Sequence, residues 1–356
     1  MRVAVVGTGL IGASVGLAAR RDGAAVSGFD ADPETLALAA ERGAVEPADS
    51  LAEAVHDAEI AVVAAPVTIL PRLVDEVLTA APDATVTDVG STKGAVCSAI
   101  HNARFIGGHP VAGAETQGPA HARPELFEGA TWFLTPGAST DSARYRTLHG
   151  FVASLGAVPV AVDPDAHDRL LALTSHLPHA LANLLLNQVG SARVEGHEPL
   201  AAAGGSLRDM TRVAGANPRM WIDIFLENAD AVRAALAEHR TRVERLEAAL
   251  AGGDAGFLAR WIGEAAANRH DLIRDAYPAG DLQRLVVHVP DRPGVLAGIT
   301  QALGAERINI EDFELQHMSP ERGGALALLI VGEEAAHRAA DLLEGQGYGV
   351  DVAPAA

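Results

Sequence analysis

Gly7-Thr8-Gly9-Leu10-Ile11-Gly12 directly follows the apolar run Val3–Val6 and opens a helix-like stretch. Strand, loop and helix in that order are the setting in which G-x-G-x-x-G can cradle a pyrophosphate. The first glycine permits the tight turn, the second lets phosphate approach the backbone, and the third lets helix and strand pack closely. The helix N-terminus then turns its N–H groups toward the anion. The next apolar run ends at Asp30, close to where a carboxylate binds a ribose diol, about 20 residues beyond such a loop. A carboxylate there repels a 2′-phosphate, so NAD is favoured over NADP. A glycine turn that binds no nucleotide is the alternative.

Two more loops carry polar groups. Asp88-Val89-Gly90-Ser91-Thr92-Lys93-Gly94 and Gly107-Gly108-His109-Pro110-Val111-Ala112-Gly113-Ala114-Glu115 each belong to a strand-like run and its exit. In an open α/β sheet, ligands bind at such carboxyl ends. His109, between glycines and a proline, is placed for proton transfer beside a nicotinamide; the alternative is a structural histidine. Further on come Ser175-His176-Leu177-Pro178-His179, then Gly204–Arg212, Asn217-Pro218 and Met220-Trp221. Of the other polar residues, His176 reads as a helix cap or packing residue. Lys93 reads as a neighbour of the cofactor loop or an exposed side chain, and Arg208, Arg219 and His239–Arg242 as solvated helix faces. Cys97 is the single cysteine, so no intrachain disulfide and no multi-cysteine metal site can form. It reads as a small buried hydrophobe, and no metal is expected.

The elements that must hold these groups follow from the apolar pattern. Short runs at Val3–Val6, Ala25–Phe29, Ile60–Ala64, Thr85–Val89, Phe105–Gly107, Thr131–Leu134 and Val158–Val162 alternate with helical stretches, which predicts βαβ units and a mostly parallel Rossmann-type sheet over residues 1–163. From 164 to 280 helical periodicity takes over, clearest at Pro218–Gly252 and Asp254–Tyr277, and predicts an all-helical domain. After the breaker Pro278-Ala279-Gly280, strands at Arg284–Pro290, Ile308–Met318 and Gly324–Val331 and helices near Gly294–Ala305 and Glu333–Gly345 give a ferredoxin-like βαββαβ order over 283–352.

Composition narrows the partners. The chain of 356 residues is long enough for two to three domains, and 27 Lys+Arg against 46 Asp+Glu give a formal charge of −19. Nucleic acid is therefore not an expected partner. No apolar run reaches the ~18 residues of a membrane span, and MRVAVVGTG enters a strand without the regions of a signal peptide. A soluble cytoplasmic protein with no membrane partner is expected.

Taken in order, GTGLIG, DVGSTKG, GGHPVAGAE, SHLPHALA and the GG…RDMTRVAGANPRMWIDIFLEN segment resemble the TyrA family of prephenate and arogenate dehydrogenases over about residues 1–280. The resemblance implies NAD-dependent oxidative decarboxylation: hydride leaves C4 of a cyclohexadienol, carbon dioxide leaves C1, and the ring becomes aromatic. It implies that His109 accepts a hydrogen bond from the C4 hydroxyl, and that Ser91 bonds both that hydroxyl and His109. Arg212 would hold the ring carboxylate, as a planar permanent cation suits, and His179 would lie near the substrate side chain. Gly205, Trp221 and Glu115 match positions lining the pocket, though Trp221 suits helix packing and Glu115 a loop ion pair equally. The family pairs subunits through its helical domain, and the apolar-rich helices over Trp221–Leu250 accord with a homodimer.

Residues 283–352, through Leu285–Leu296 with Asp291-Arg292-Pro293-Gly294 and Arg307-Ile308-Asn309-Ile310, resemble an ACT domain. That implies an amino-acid effector, tyrosine, at Asp291, Arg292, Gly294 and Asn309, or a module used only for subunit pairing. The function expected is thus a prephenate dehydrogenase regulated by its end product. The alternatives are an arogenate or dual-specificity dehydrogenase, a β-hydroxyacid dehydrogenase, and a non-catalytic sensor.

Overall fold

The central strands of the N-terminal region are mostly apolar because both faces of their sheet are covered. In the computed structural model, which describes residues 1–113, 116–276, 282–319 and 323–355, β1 (Arg2–Val6), β2 (Ala25–Phe29), β3 (Glu46–Pro47), β4 (Ile60–Val63) and β5 (Thr85–Asp88) form a parallel sheet in the order β3-β2-β1-β4-β5. Val3, Val5, Val26, Ile60 and Val62 enter one core, whereas Ala4, Val6, Ala61, Val63 and Val86 enter a second on the opposite face. The crossovers contain α1 (Leu10–Arg21), α2 (Pro33–Glu41), α3 (Leu51–Val55) and α4 (Leu70–Ala80). Two of these have side-chain caps: Asp32 accepts from the Glu34 amide and Ser50 from the Glu53 amide, each satisfying an otherwise unpaired helix donor.

After α5 (Gly94–Ala99), a parallel bridge between Val86 and Phe105 leads to β6 (Gly107–Pro110), which pairs with β7 (Thr131–Thr135); α6 (Ser142–Ser154) then leads to β8 (Val158–Ala161). The β7–β8 pair is parallel, as its crossover helix requires. The β6–β7 pair is antiparallel, because only short 3-10 turns lie in the described part of its connection. The five-stranded sheet is thus wholly parallel, and the antiparallel pair belongs to a separate three-stranded sheet, β6-β7-β8.

Two compact units divide the chain, Met1–Arg240 and Thr241–Ala356. The first continues into helices α7 (Pro164–Leu171), α8 (Leu177–Ser191), α9 (Gly205–Thr211) and α10 (Pro218–Glu227); α11 (Ala229–Gly252) crosses the division and α12 (Ala255–Ala276) follows. Asp163 caps α7 through the amides of Asp165 and Ala166. A π turn, Ala172–His176, joins α7 to α8. The helical periodicity read over Pro218–Gly252 is interrupted at Asn228 (φ −108°, ψ 28°), a buried polar residue whose side chain is committed elsewhere. No helix among the described residues is long and apolar enough to cross a membrane.

The second unit ends in β9 (Leu282–Val289), α13 (Val295–Ala305), β10 (Asp312–Ser319), β11 (Gly323–Val331), α14 (Glu333–Gly345) and β12 (Gly349–Pro354), an antiparallel sheet in the order β10-β11-β9-β12. This is the ferredoxin-like arrangement. Leu285, Val287, Leu326, Leu328 and Ile330 alternate onto one face and share a core with Ile299, Leu303, Ala336 and Leu343 from the two helices.

Candidate active site

Gly7 adopts φ +92°, and a Cβ there would strike the Ala64 carbonyl; a Cβ on Gly12 would strike the carbonyl of Gly7. The turn is thus closed to any larger residue at both ends. Between them, Gly9 caps α1 with no side-chain hydrogen bond and has open space where its Cβ would point, so the backbone at the start of α1 presents an unobstructed concavity to a phosphate. Leu10 and Ile11 form the first turn and pack on the core. Asp30, at the end of β2, reaches the same loop: its Oδ2 accepts from Thr8 N at 2.6 Å and Thr8 Oγ1 at 3.2 Å, and its Oδ1 from Asp32 N at 2.9 Å. The residues present fit a dinucleotide.

The loop after β5 is tied to β6 by a buried carboxylate. Asp88 accepts from Gly90 N at 2.8 Å and Gly108 N at 3.1 Å, and pairs with the Lys93 ammonium, both side chains fully enclosed. Lys93 is therefore an internal counter-ion, not the exposed side chain considered from the sequence. Ser91 lies half-buried in this loop, and the hydrogen bonds of Asp88 hold the loop against the strand that carries His109. Cys97, half-buried on α5, has Sγ 3.2 Å from Thr135 Oγ1; burial pushes its thiol up to about 11, which makes it inert.

His109 is 8% exposed. Its Nδ1 lies 2.8 Å from His167 Nε2, and His167 Nδ1 lies 2.8 Å from Asp168 Oδ1. Among the described residues no hydrogen bond joins Ser91 to His109; the Nδ1 of His109 is taken by His167. Asp168 also accepts from the amides of Lys93 and Gly94, both at 2.8 Å. Asn228 donates to the Asp168 carbonyl at 2.8 Å and meets His176 Nδ1 at 3.1 Å, which explains the break between α10 and α11. His176 is enclosed by the π turn and packs edge-on against Trp221, while His179 stacks on that indole at 3.5 Å. Trp221 is thus both packing surface and wall of the histidine cluster.

Burial is the main force on these imidazoles, since it penalises the cation. It holds His109 well below the usual histidine value, helped by His167, Lys93 and His176, and takes His176 to about 4. His179 is lowered by burial and by the Arg212 guanidinium, which places the charge of Arg212 within electrostatic reach of His179. Arg212 itself is exposed at the end of α9. Gly205 begins α9 beside open space, and the His179 Nδ1 atom is buried without a hydrogen-bond partner. Glu115 lies outside the described residues. His167, Asp168 and Asn228 are the site residues missed from sequence. The one available signal was Asn228, an uncharged polar residue inside an apolar helical run.

In the C-terminal unit, Gly294 (φ +89°) caps α13 after Asp291 and Arg292, an arrangement that only glycine adopts without strain. Asn309 Nδ2 donates to Glu311 Oε1 at 2.7 Å.

Comparison with known proteins places these features in a lineage. Residues 15–161 match the family model for the prephenate dehydrogenase nucleotide-binding domain, 163–264 that for the prephenate dehydrogenase dimerization domain, and 283–344 that for the ACT domain. Prephenate dehydrogenase of Bacillus subtilis is 32% identical over 97% of this chain and 96% of its own. The chain belongs to the prephenate dehydrogenase family. Its members are NAD-dependent oxidoreductases. Among solved structures, prephenate dehydrogenase of Aquifex aeolicus, in complex with hydroxyphenyl propionate and NAD⁺, is 31% identical with TM-score 0.72 over 76% of this chain and 98% of that one. Arogenate dehydrogenase of Synechocystis is 29% identical with TM-score 0.70 over 76% and 100%. For this prephenate dehydrogenase family member, the fold and the order of the three modules read from the sequence hold.

Proposed function

We propose that the protein catalyses NAD-dependent oxidative decarboxylation of prephenate to 4-hydroxyphenylpyruvate in tyrosine biosynthesis. The observation that carries this reading is the buried, neutral His109 on the strand held to the Ser91 loop, within a chain aligned almost end to end with a prephenate dehydrogenase. NAD, held by Gly7, Thr8, Gly9, Leu10, Ile11, Gly12 and Asp30, supplies the acceptor for the C4 hydride. His109 accepts the hydrogen bond of the C4 hydroxyl as that carbon becomes carbonyl-like. The proton lent to His109 returns to oxygen when loss of carbon dioxide makes the ring aromatic, so the reaction is proton-neutral. Ser91 orients the hydroxyl, Arg212 takes the ring carboxylate, and His179 with Trp221, Gly205 and Glu115 forms the side-chain end of the pocket.

The likeness to arogenate dehydrogenase supports a second reading, in which that pocket takes an amino rather than a keto side chain. We assign residues 1–163 to cofactor, 164–280 to substrate and dimerisation, and 283–352 to regulation by tyrosine at Asp291, Arg292, Gly294 and Asn309. Exposed Ile222 and Leu226 on α10, and Trp261 and Leu272 on α12, together with the match of residues 163–264 to the dimerization-domain model, support a homodimer. The test of the reaction is NADH production from NAD and prephenate. Arg212→Ala should raise the Michaelis constant for prephenate about tenfold or more, the range for a hydrogen bond to a charged group; an unchanged constant removes Arg212 from the site.

A further inference from the structure

The proton arrangement in the buried His109–His167–Asp168 chain can be derived one bond at a time. An ionised carboxylate only accepts hydrogen bonds. Burial alone would raise the Asp168 pKa, but the bonds from His167 and from the Lys93 and Gly94 amides outweigh it and hold the carboxyl below its usual range. The hydrogen in the His167–Asp168 contact is therefore on His167 Nδ1. With a single proton, on Nδ1, His167 keeps its lone pair on Nε2. The 2.8 Å contact between that nitrogen and His109 Nδ1 then requires the hydrogen to come from His109. No water can substitute, because His167 is fully enclosed, with Phe133 edge-on to its ring.

We infer that His167 is a positioning residue which, anchored by Asp168, fixes His109 as the Nδ1–H tautomer and leaves Nε2 as the lone pair offered to substrate. The inference rests on the proposed role of His109 as acceptor and assigns the means by which the acceptor atom is selected. When the substrate hydroxyl proton moves onto Nε2, the O–H bond breaks and the N–H bond forms. The positive charge on His109 then lies against His167 and, beyond it, against the Asp168 carboxylate. Burial and the Lys93 ammonium from the loop after β5 disfavour a cation on His109 before reaction. The carboxylate at the far end offsets that penalty once the proton has moved. The logic is that of a serine-protease triad, whose aspartate orients the base and fixes its tautomer, with one imidazole interposed.

Two measurements test this. In the full-length protein labelled with ¹⁵N-histidine, at pH 7.5, long-range ¹H–¹⁵N correlations should show His109, identified by its loss in His109→Asn, protonated at Nδ1 and bare at Nε2. His109 protonated at Nε2, as a doubly protonated His167 would enforce, overturns the inference. In steady-state assays His167→Leu should lose about 10–10³-fold in kcat, within the span of acid–base and orienting contributions, with Michaelis constants for prephenate and NAD within about twofold of wild type. His167→Gln, whose carbonyl can accept the same Nδ1–H, should recover at least about tenfold over His167→Leu. A folded leucine variant within about threefold of wild type, or equal loss in both variants, also overturns it. The spectrum needs neither turnover nor a stable variant. Wild-type protein that makes no NADH would reject the proposed reaction and leave the tautomer assignment to the spectrum.

Discussion

Replacing Lys93 by methionine keeps the aliphatic stem and removes the ammonium from a place with no water. Asp88 and Lys93 are both fully enclosed, so the variant leaves a buried carboxylate whose remaining partners are two amides, Gly90 N and Gly108 N. Removing one partner of a buried pair costs about 3–5 kcal/mol, and the two surviving hydrogen bonds put this case near the lower end, about 3 kcal/mol. For a unit of this size, where about 1 kcal/mol shifts Tm by 2–4 °C, the first unfolding transition should fall by about 6–12 °C, as read by calorimetry of the full chain. Asp88→Asn combined with Lys93→Met should recover at least half of that loss, because the stranded charge is gone while an acceptor remains for one amide. Since Asp88 joins the Ser91 loop to the His109 strand, the single variant should also lose turnover at temperatures where it stays folded. A Tm within about 2 °C of wild type for Lys93→Met would refute the reasoning, for it would mean that the carboxylate does not depend on that cation.

His109→Asn should lower turnover by about 10²–10⁴-fold, the range for an acid–base group, while calorimetric NAD affinity stays near wild type; near-normal turnover removes His109 from the chemistry. Asp30→Ala, which deletes the carboxylate at the glycine loop, should narrow the preference for NAD over NADP by about tenfold or more, as loss of a charged hydrogen bond implies. Unchanged rejection of NADP assigns the preference elsewhere. His176 governs part of the acid stability: folding holds it at about 4 against 6.5 for a free side chain, so below pH 6.5 the unfolded chain binds the proton first. Its contribution is intact above pH 6.5 and declines as pH falls toward 4, below which the folded form is protonated as well. Unfolding measured from pH 8 to 4 should show a shallower decline in His176→Gln than in wild type, and equal slopes would exclude this ring as the source.

Local sequence carried much of the fold. The glycine loop and Asp30 are legible because turn, helix start and carboxylate follow one another along a single βαβ unit, and the backbone at Gly7 and Gly12 admits no other residue. The C-terminal βαββαβ order is legible because short apolar strand runs alternate with helical stretches between breakers such as Pro293-Gly294. The interior of the site was not. His167 and Asp168 are adjacent residues in a helix with no metal-like or triad-like spacing, and they become significant only when packing brings His109 to them from 58 residues away. Lys93 read as an exposed or loop-side lysine because its partner Asp88 stands before a glycine turn, and only the folded loop turns the two side chains inward. Asn228 reveals the limit of periodicity, for the apolar repeat runs through it while its amide leaves the helix to serve Asp168 and His176.

The most direct test of the central claim is NADH formation by purified protein given prephenate and arogenate separately, at matched concentrations, with and without tyrosine. NADH should form with prephenate preferred, and at a lower rate when tyrosine is present. NADH from neither substrate would contradict that claim.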